Sequence, residues 1–224
     1  DALPIYAKVQ QAINRIQPYD MVRKVVDDLH QAGINHINCD LIYGLPHQTA
    51  DCFADTLEKT LSLDPARISL FSYAHMPKLK KHQRLIEDSW LPSMHDKLRL
   101  YLQACRTLED HGYVMIGIDH FAKPDDALTL AMRNRTMRRN FQGYVVDDTD
   151  VLIGIGSSAI SQFPQGYTQN SASTPDYSTK IESGRLATVR GWKNREDDGL
   201  RKRIVDELMC FMGVDLESVC AEYR

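Results

Sequence analysis

The sequence predicts an α/β fold that contains part of a (β/α) TIM-like barrel. Within residues 19–77, stretches with helical spacing of apolar residues alternate twice with short apolar stretches of strand length. The connections between them are short, which is typical of parallel strands joined by crossover helices. No G-x-G-x-x-G motif follows either strand, so the pattern favours a barrel segment over a dinucleotide-binding doubly wound sheet.

The first predicted unit is a helix followed by a strand. Apolar residues recur at helical spacing over residues 19–32, and Gly33 is placed to end this helix because glycine readily adopts a left-handed conformation. The next stretch, residues 34–43, is mostly apolar and ends at Gly44-Leu45-Pro46. We expect it to form a strand that is buried on both faces.

A second unit of the same kind follows. Thr49 is a candidate N-cap for the next helix, which Asp64-Pro65 ends. The inner stripe of that helix consists of Phe53, Leu57, Leu61 and Leu63. Residues 67–73 (RISLFSY) predict a second buried strand, after which the chain turns near Pro77.

The second half of the chain predicts additional α+β elements. Its expected elements, in order, are a helix over 91–111, a strand over 113–118, a loop over 120–126, strands and glycine-containing turns over 141–163, an exposed loop or weak helix over 166–190, and a helix over 198–212. We therefore divide the chain into a barrel portion, residues 1–90, and an extension, residues 91–224.

Charge and composition argue against several classes of function. The chain has 27 basic and 30 acidic residues, a formal net charge of −3, which disfavours a general nucleic-acid-binding protein. It contains no apolar run of about 18 residues and no secretory signal pattern, so we expect a cytoplasmic protein that does not enter a membrane. The chain begins at Asp1 rather than at Met, and we expect it to be a piece of a longer protein.

The cysteines give no sign of a metal centre. They are odd in number, widely scattered and free of C-x-x-C or C-x-x-x-C-x-x-C spacing, as expected in a reducing compartment. We predict that this chain supplies no metal ligands and that its cysteines pack as small apolar residues. They are Cys39, Cys52, Cys105, Cys210 and Cys220.

Polar residues near the two predicted strand ends are candidates for a site. Asp40 lies inside the apolar stretch that ends at Tyr43, and Tyr73-Ala74-His75 lies at the end of the second strand. In parallel barrels, residues at the carboxyl ends of strands face the active site. The alternatives are a carboxylate of Asp40 satisfied by a neighbouring amide or by Arg15, and a His75 that is a ligand, an acid–base group or only a packed residue.

Two stretches of the second half are further candidates. Residues 154–161 (GIGSSAIS) allow close approach of the backbone, either to a planar ligand or phosphate or within a tight β-bulge. Several arginines precede Phe141-Gln142-Gly143-Tyr144 and suit carboxylates or phosphates, although a solvated basic face explains them too. They are Arg133, Arg135, Arg138 and Arg139.

Seven stretches together resemble oxygen-independent coproporphyrinogen III oxidase, a family of radical S-adenosylmethionine (SAM) enzymes of haem biosynthesis. In order from residue 9 to about 212 they are VQQAINRIQ, INCDLIYGLPHQT, ISLFSYAHMP, GYVMIGIDHFAKPDD, RNFQGY, DVLIGIGSSAIS and RGW…DD…R..IVDELMC. DLIYGLP also occurs loosely in related radical enzymes, whereas DHFAKPDD, RNFQGY and GIGSSAIS are much more specific. The resemblance covers nearly the whole chain.

The resemblance implies a partial barrel of the radical SAM type with α+β additions. In that family a 4Fe-4S cluster cleaves SAM, and the resulting radical starts the oxidative decarboxylation of two coproporphyrinogen III propionates to the vinyls of protoporphyrinogen IX. By resemblance, Arg15, Asp40 and Ala74 match positions that contact a second SAM. Ile160 matches a position beside the adenine of the first SAM. No catalytic residue is assigned, and the electron donor and acceptor stay open.

Charge matching adds a hypothesis about the substrate. Arg138 and Arg139 have guanidinium groups that suit propionate carboxylates, so we expect them to pair with the substrate. The family usually has Gly-Tyr-Thr-Thr where this chain has Gly143-Tyr144-Val145-Val146. The missing hydroxyl groups leave room for a relative that acts on another tetrapyrrole.

The family's cluster motif is absent from this sequence, so we expect the cluster ligands to lie outside the chain and the isolated chain to be inactive. The whole protein is expected to be a monomer, and the isolated piece to self-associate through unpaired strand edges. Two alternatives stay open: a haem or tetrapyrrole carrier without oxidase activity, and a barrel fragment whose polar strand-end groups are only structural.

Overall fold

A computed structural model describes residues 5–141 and 143–223 of the protein. These residues form two compact units that are divided between Leu130 and Ala131. This division falls later in the chain than residue 90, where we expect the barrel portion of the family fold to end, and that expectation stays a prediction. Among the described residues, no helix is both long enough and apolar enough to cross a membrane.

The first unit contains four strands and the helices that precede, connect and follow them. Its helices are α1 (Ala7–Ala12), α2 (Tyr19–Gln31), α3 (Ala50–Leu61), α4 (Met94–Asp110) and α5 (Ala127–Arg133), the last of which crosses into the second unit, with short 3-10 helices at Lys81–Leu85 and Asp88–Trp90. Its strands are β1 (Asn38–Tyr43), β2 (Arg67–Ser72), β3 (Val114–Ile116) and β4 (His120–Ala122).

The sheet of the first unit begins as the sequence predicts and then changes direction. β1 and β2 are parallel and are connected through α3, so the predicted crossover is confirmed. β4 pairs antiparallel with β2 and with β3, giving the strand order β1-β2-β4-β3. The expectation of a loop over residues 120–126 is therefore wrong for its first three residues, because they form β4, in which Phe121 and Ala122 are buried.

Local signals placed the start of α3 and the end of α2 correctly, whereas α3 ends at Leu61, before Asp64-Pro65 and before the Leu63 assigned to its inner stripe. Thr49 caps α3, since its side-chain oxygen accepts a hydrogen bond from Cys52 N at 3.4 Å. α2 ends at Gln31, and Gly33 follows with φ +83°, the left-handed conformation expected of a glycine after a helix.

The two faces of β1 have different surroundings. Cys39 and Leu41 are buried in the core with residues of α2, α3 and α4, whereas Asn38 is exposed and Asp40 is half-buried on the opposite face. The prediction of a strand buried on both faces, beginning at residue 34, is therefore wrong. The helices of the first unit cover one face of β1, so the side chains of this strand alternate between the core and a more open face, whereas Ile68, Ser69 and Leu70 of β2 are all buried.

The second unit consists of small antiparallel sheets and three helices. Its strands are β5 (Arg138–Asn140), β6 (Gly143–Val145), β7 (Ile160–Phe163), β8 (Gly166–Asn170) and β9 (Thr188–Lys193), and its helices are α6 (Thr174–Glu182), α7 (Asp198–Phe211) and α8 (Leu216–Ala221). β5 pairs with β6, and β7, β8 and β9 form a three-stranded sheet. The expectation of an exposed loop or weak helix over 166–190 misses β8 and β9. Every residue of β9 is exposed, so no alternation of apolar and polar residues marks it.

The buried Cys39 thiol makes the stability of the first unit sensitive to alkaline pH. Burial raises the pKa of this thiol from 9.0 to about 11, so the folded chain holds the thiol proton more tightly than the unfolded chain. The stabilisation is complete below pH 9 and is lost as the pH rises toward about 11. In urea unfolding across this range, Cys39→Val should remove about 2–3 kcal/mol of the decline in unfolding free energy. Cys220→Val is the control, and an unchanged decline in Cys39→Val would contradict the assignment.

Candidate functional site

One face of the first sheet carries a row of polar side chains. Asp40 on β1 is paired in register with Ser69 on β2, and Ser69 with His120 on β4. Directly paired residues project from the same side of a sheet, and Asn38 joins them because it lies two residues before Asp40. We call Asn38, Asp40, Ser69 and His120 the polar sheet face. It lies opposite the apolar core.

Hydrogen bonds connect Asn38, Asp40 and Ser69 of the polar sheet face, and His120 bonds the neighbouring Asp119. Asn38 Nδ2 donates to Asp40 Oδ1 at 2.7 Å and lies 3.1 Å from Ser69 Oγ. His120 Nδ1 lies 2.7 Å from Asp119 Oδ1, and the His120 ring meets the Phe71 ring edge-on with centroids 5.9 Å apart. The alternative in which a neighbouring amide binds the Asp40 carboxylate is therefore realised, and the amide is that of Asn38.

The structure places Asp40 differently from the sequence-based expectation. It lies in the first half of β1 rather than close to the carboxyl end of the strand. One carboxylate oxygen accepts the hydrogen bond from Asn38, and among the described residues no donor is recorded for Oδ2. A half-buried carboxylate with one oxygen held and the other open can accept hydrogen bonds from hydroxyl or amino groups of a ligand.

Ala74 and His75 lie in the loop that follows β2. Ala74 is exposed, and its carbonyl accepts a hydrogen bond from Gln83 Nε2 at 3.1 Å. His75 is more enclosed: its Nδ1 lies 3.3 Å from the Tyr73 hydroxyl, and its Nε2 lies 3.4 Å from Asp88 Oδ1 without hydrogen-bond geometry. Burial raises the pKa of the Tyr73 hydroxyl, so it is a hydrogen-bond donor at neutral pH.

Arg15 lies in the loop between α1 and α2. Its Nε donates to Gln17 Oε1 at 3.3 Å, and its backbone N–H donates to Gln10 O at 2.8 Å. The side chain is half-buried. A guanidinium group suits a carboxylate, so Arg15 is a candidate partner for an anionic ligand.

Ile160 lies in the second unit at the first residue of β7. It lines an open cavity of about 260 Å³ together with Phe141, Leu152, Ile153, Gly154, Ile155, Ser158 and Ala159. Gly154 allows the chain to approach itself, because a Cβ there would lie 2.6 Å from Ile160 O. The close approach expected for residues 154–161 is thus explained by the backbone, and the same loop borders the cavity.

The predicted arginines take separate partners in the second unit. Arg138 Nη1 donates to Asp148 O at 3.2 Å, and the Arg139 guanidinium lies over the Tyr144 ring at 5.3 Å. Arg135 pairs with the buried Glu207. Gln142, part of the quoted RNFQGY stretch, lies outside the described residues.

The cysteines are spread through the described part of the chain. Cys39, Cys52 and Cys210 are buried, and burial raises the pKa of Cys39 and of Cys210 to about 11. Such thiols are protonated at neutral pH, whereas metal-binding cysteines are thiolates. Within residues 5–141 and 143–223, no group of three or more His, Cys, Asp or Glu side chains is arranged to hold a metal ion.

Sequence reasoning missed several polar residues around these positions. Asn38 could have been found from its spacing of two residues before Asp40 on one strand. His120 could not, because its approach to the same face depends on the antiparallel pairing of β4 with β2. No sequence pattern identifies Gln48 and Gln83, because what distinguishes them is the set of backbone groups with which they form hydrogen bonds in the folded chain.

Known proteins match this sequence and fold closely. The chain is 48% identical over 221 residues to the oxygen-independent coproporphyrinogen III oxidase of Bradyrhizobium diazoefficiens, covering 96% of this chain and 48% of that protein. It is 44% identical over 215 residues to the anaerobic coproporphyrinogen III oxidase 1 of Cereibacter sphaeroides, covering 96% and 48%. No protein-family model matches.

A solved structure gives the same result. The coproporphyrinogen III oxidase of Escherichia coli, described as a radical SAM enzyme, matches with a TM-score of 0.94 and 36% identity, covering 99% of this chain and 51% of that one. This chain therefore spans about half the length of the relatives it matches.

The fold and its likeness to this structure define an α/β protein with a partial barrel of the radical SAM type and additional α+β elements, as the sequence predicted. More particularly, by sequence and by structure the chain is homologous to about half of an oxygen-independent coproporphyrinogen III oxidase.

Proposed function

We propose that this chain is the part of an oxygen-independent coproporphyrinogen III oxidase that contacts SAM and substrate. The observation that supports the proposal is the 48% identity to a protein of that name over 96% of the chain, together with the TM-score of 0.94 to a radical SAM enzyme. The whole protein would convert two propionates of coproporphyrinogen III to vinyls by oxidative decarboxylation, giving protoporphyrinogen IX in haem biosynthesis.

The described residues fit SAM and do not fit the 4Fe-4S cluster. The polar sheet face offers a half-buried carboxylate, and the loop before α2 offers a guanidinium group. SAM carries ribose hydroxyls that can donate to a carboxylate and an amino-acid carboxylate that can pair with a guanidinium. The cysteines form no ligand set among the described residues, so we derive no step through the cluster from this chain.

Each residue has a proposed task toward SAM. Asp40 accepts hydrogen bonds from a second SAM through the carboxylate oxygen that Asn38 leaves open. Arg15 pairs with a carboxylate of the same molecule, and Ala74 contacts it from the loop after β2. Ile160 supplies apolar contact beside the adenine of the first SAM, at the edge of the cavity. When bound, SAM would supply the radical that abstracts hydrogen from a propionate.

A chimera tests the proposed function. The matching half of the Bradyrhizobium diazoefficiens protein is replaced by this chain, and formation of 5′-deoxyadenosine and protoporphyrinogen is measured anaerobically, with the unaltered relative as control. We expect both products. A chimera that assembles its cluster yet cleaves no SAM would overturn the proposal. If it also binds haem stably, a carrier of haem or another tetrapyrrole would take its place.

The arginines beside β5 are expected to affect substrate binding. Replacing both Arg138 and Arg139 with alanine in the chimera should raise the KM for coproporphyrinogen III severalfold, because guanidinium groups that pair with propionates are lost. Arg201→Ala is the matched control, since Arg201 is exposed and paired with Asp197 on the last long helix. An unchanged KM in the double variant would remove these arginines from the substrate site.

A further inference from the structure

Three glutamines of the first unit are almost completely buried. Gln10, Gln48 and Gln83 are 3%, 6% and 8% exposed, which is unusual for a polar side chain. Each uses its carboxamide both as donor and as acceptor toward backbone groups of a loop or turn. An amide side chain can do this because it carries a C=O and an NH₂ on the same atom, as a peptide group does.

Gln83 holds the loop after β2. Its Oε1 accepts from Met76 N at 2.5 Å and its Nε2 donates to Ala74 O at 3.1 Å, so the two bonds lie on either side of His75. Gln83 is the buried residue of the 3-10 helix Lys81–Leu85, whose other side chains are exposed. That short helix therefore contacts the rest of the unit through an amide rather than through apolar packing.

Gln10 and Gln48 make equivalent contacts elsewhere. Gln10 Nε2 donates to Gln17 O at 2.6 Å and its Oε1 accepts from Gln17 N at 3.0 Å, which closes the loop that carries Arg15. Gln48 Oε1 accepts from Gly44 N at 2.6 Å, and its Nε2 donates to Ile42 O at 3.1 Å. The two hydrogen bonds of Gln48 fix the turn at the end of β1, the strand that contains Asp40.

We infer that Gln10, Gln48 and Gln83 are positioning residues for SAM, an inference that rests on the proposed function. Each bonds backbone at or within two residues of a residue assigned to the second SAM: Gln10 bonds Gln17 near Arg15, Gln48 bonds Ile42 near Asp40, and Gln83 bonds Ala74 itself. Loops are otherwise free to sample many conformations, and ordering them on binding costs free energy. A glutamine that fixes the loop beforehand removes that cost from the binding step.

Gln83 gives the sharpest test. Gln83→Met keeps the length and volume of the side chain and removes both hydrogen bonds. In the 224-residue chain we expect hydrogen exchange at Met76 N–H to accelerate at least tenfold. The dissociation constant for SAM, measured by equilibrium dialysis, should rise about fivefold to tenfold, in proportion to the share of loop conformations that can bind. Gln103→Met is the matched control. Gln103 lies on α4 and also donates to a backbone carbonyl, but to that of Ala50 on α3 rather than to one in the loop after β2.

A second variant tests the positioning role of Gln83 even if Gln83→Met fails to fold. Gln83→Glu presents an anionic oxygen to Ala74 O when it is ionised, whereas its protonated carboxyl group regains a donor as the pH falls below its pKa, which burial and the facing carbonyl raise above the ordinary value for glutamate. The ratio of its SAM dissociation constant to that of the unsubstituted chain should therefore shrink as the pH is lowered. A merely structural glutamine would change the unfolding midpoint without producing this pH-dependent ratio.

The outcomes separate the two proposals. If the unsubstituted chain binds SAM and Gln83→Met binds it equally well, the positioning role is overturned while the proposed function stands. If the unsubstituted chain binds no SAM, the SAM contacts proposed for this chain fail, and the positioning role fails with them. Loss of affinity in both Gln83 variants, with Gln103→Met unaffected, supports the inference.

Discussion

Replacing Asp40 with alanine is expected to weaken SAM binding by the chain about 10- to 100-fold. Hydrogen bonds to a charged group contribute about 1.5–3 kcal/mol, and the open oxygen of Asp40 is proposed to accept such bonds from SAM. The unfolding free energy should change little, because the carboxylate is half-buried and its recorded partner is the exposed Asn38. Equilibrium dialysis with labelled SAM measures the first quantity, and urea unfolding the second.

Asp28→Ala is the matched control for Asp40→Ala. Asp28 is an exposed aspartate of the same unit whose partner is Lys24, so its removal should leave SAM affinity unchanged. Asp40→Asn adds a finer comparison, since it keeps the shape of the side chain while removing the negative charge. Equal SAM affinity in Asp40→Ala and the unsubstituted chain would show that the carboxylate does not bind SAM.

Replacing Leu57 with alanine is expected to lower the unfolding free energy by about 2–5 kcal/mol. Leu57 is fully buried on α3, in the core that this helix forms with the sheet and α4. The loss combines the transfer free energy of the removed methyl groups with the cost of the cavity that they leave. Leu85→Ala is the control, because Leu85 is 82% exposed and should lose less than about 0.5 kcal/mol.

Urea unfolding of both leucine variants gives the comparison directly. Comparable losses at Leu57 and Leu85 would mean that α3 does not pack against the sheet as described. A loss confined to Leu57 would support the described packing of α3 on the face of the sheet opposite the polar sheet face. At urea concentrations at which Leu57→Ala is still fully folded, its SAM affinity should equal that of the unsubstituted chain.

Some residues of the candidate site were proposed from the sequence and others were not. Asp40 was proposed because a carboxylate inside an apolar strand is costly without a partner, and Ala74 because its surroundings resemble those of a known family; both assignments stay predictions. Gln83 was not identified, because its bonds to Ala74 and Met76 depend on a 3-10 helix with no apolar face. Its contribution becomes visible only when the folded backbone shows which groups it reaches.

The sequence by itself determined α2, α3, α4 and α7, the helix-end residues Thr49 and Gly33, the parallel pair β1 and β2, and the family to which the chain is homologous. These depend on patterns within a few residues or on stretches compared one by one. The tertiary structure decided which face of β1 is open, and it placed β4 antiparallel to β2 so that His120 joins Ser69 and Asp40. Strand pairing depends on contacts between residues that are far apart in the chain. Local periodicity in the sequence does not indicate which distant residues come into contact.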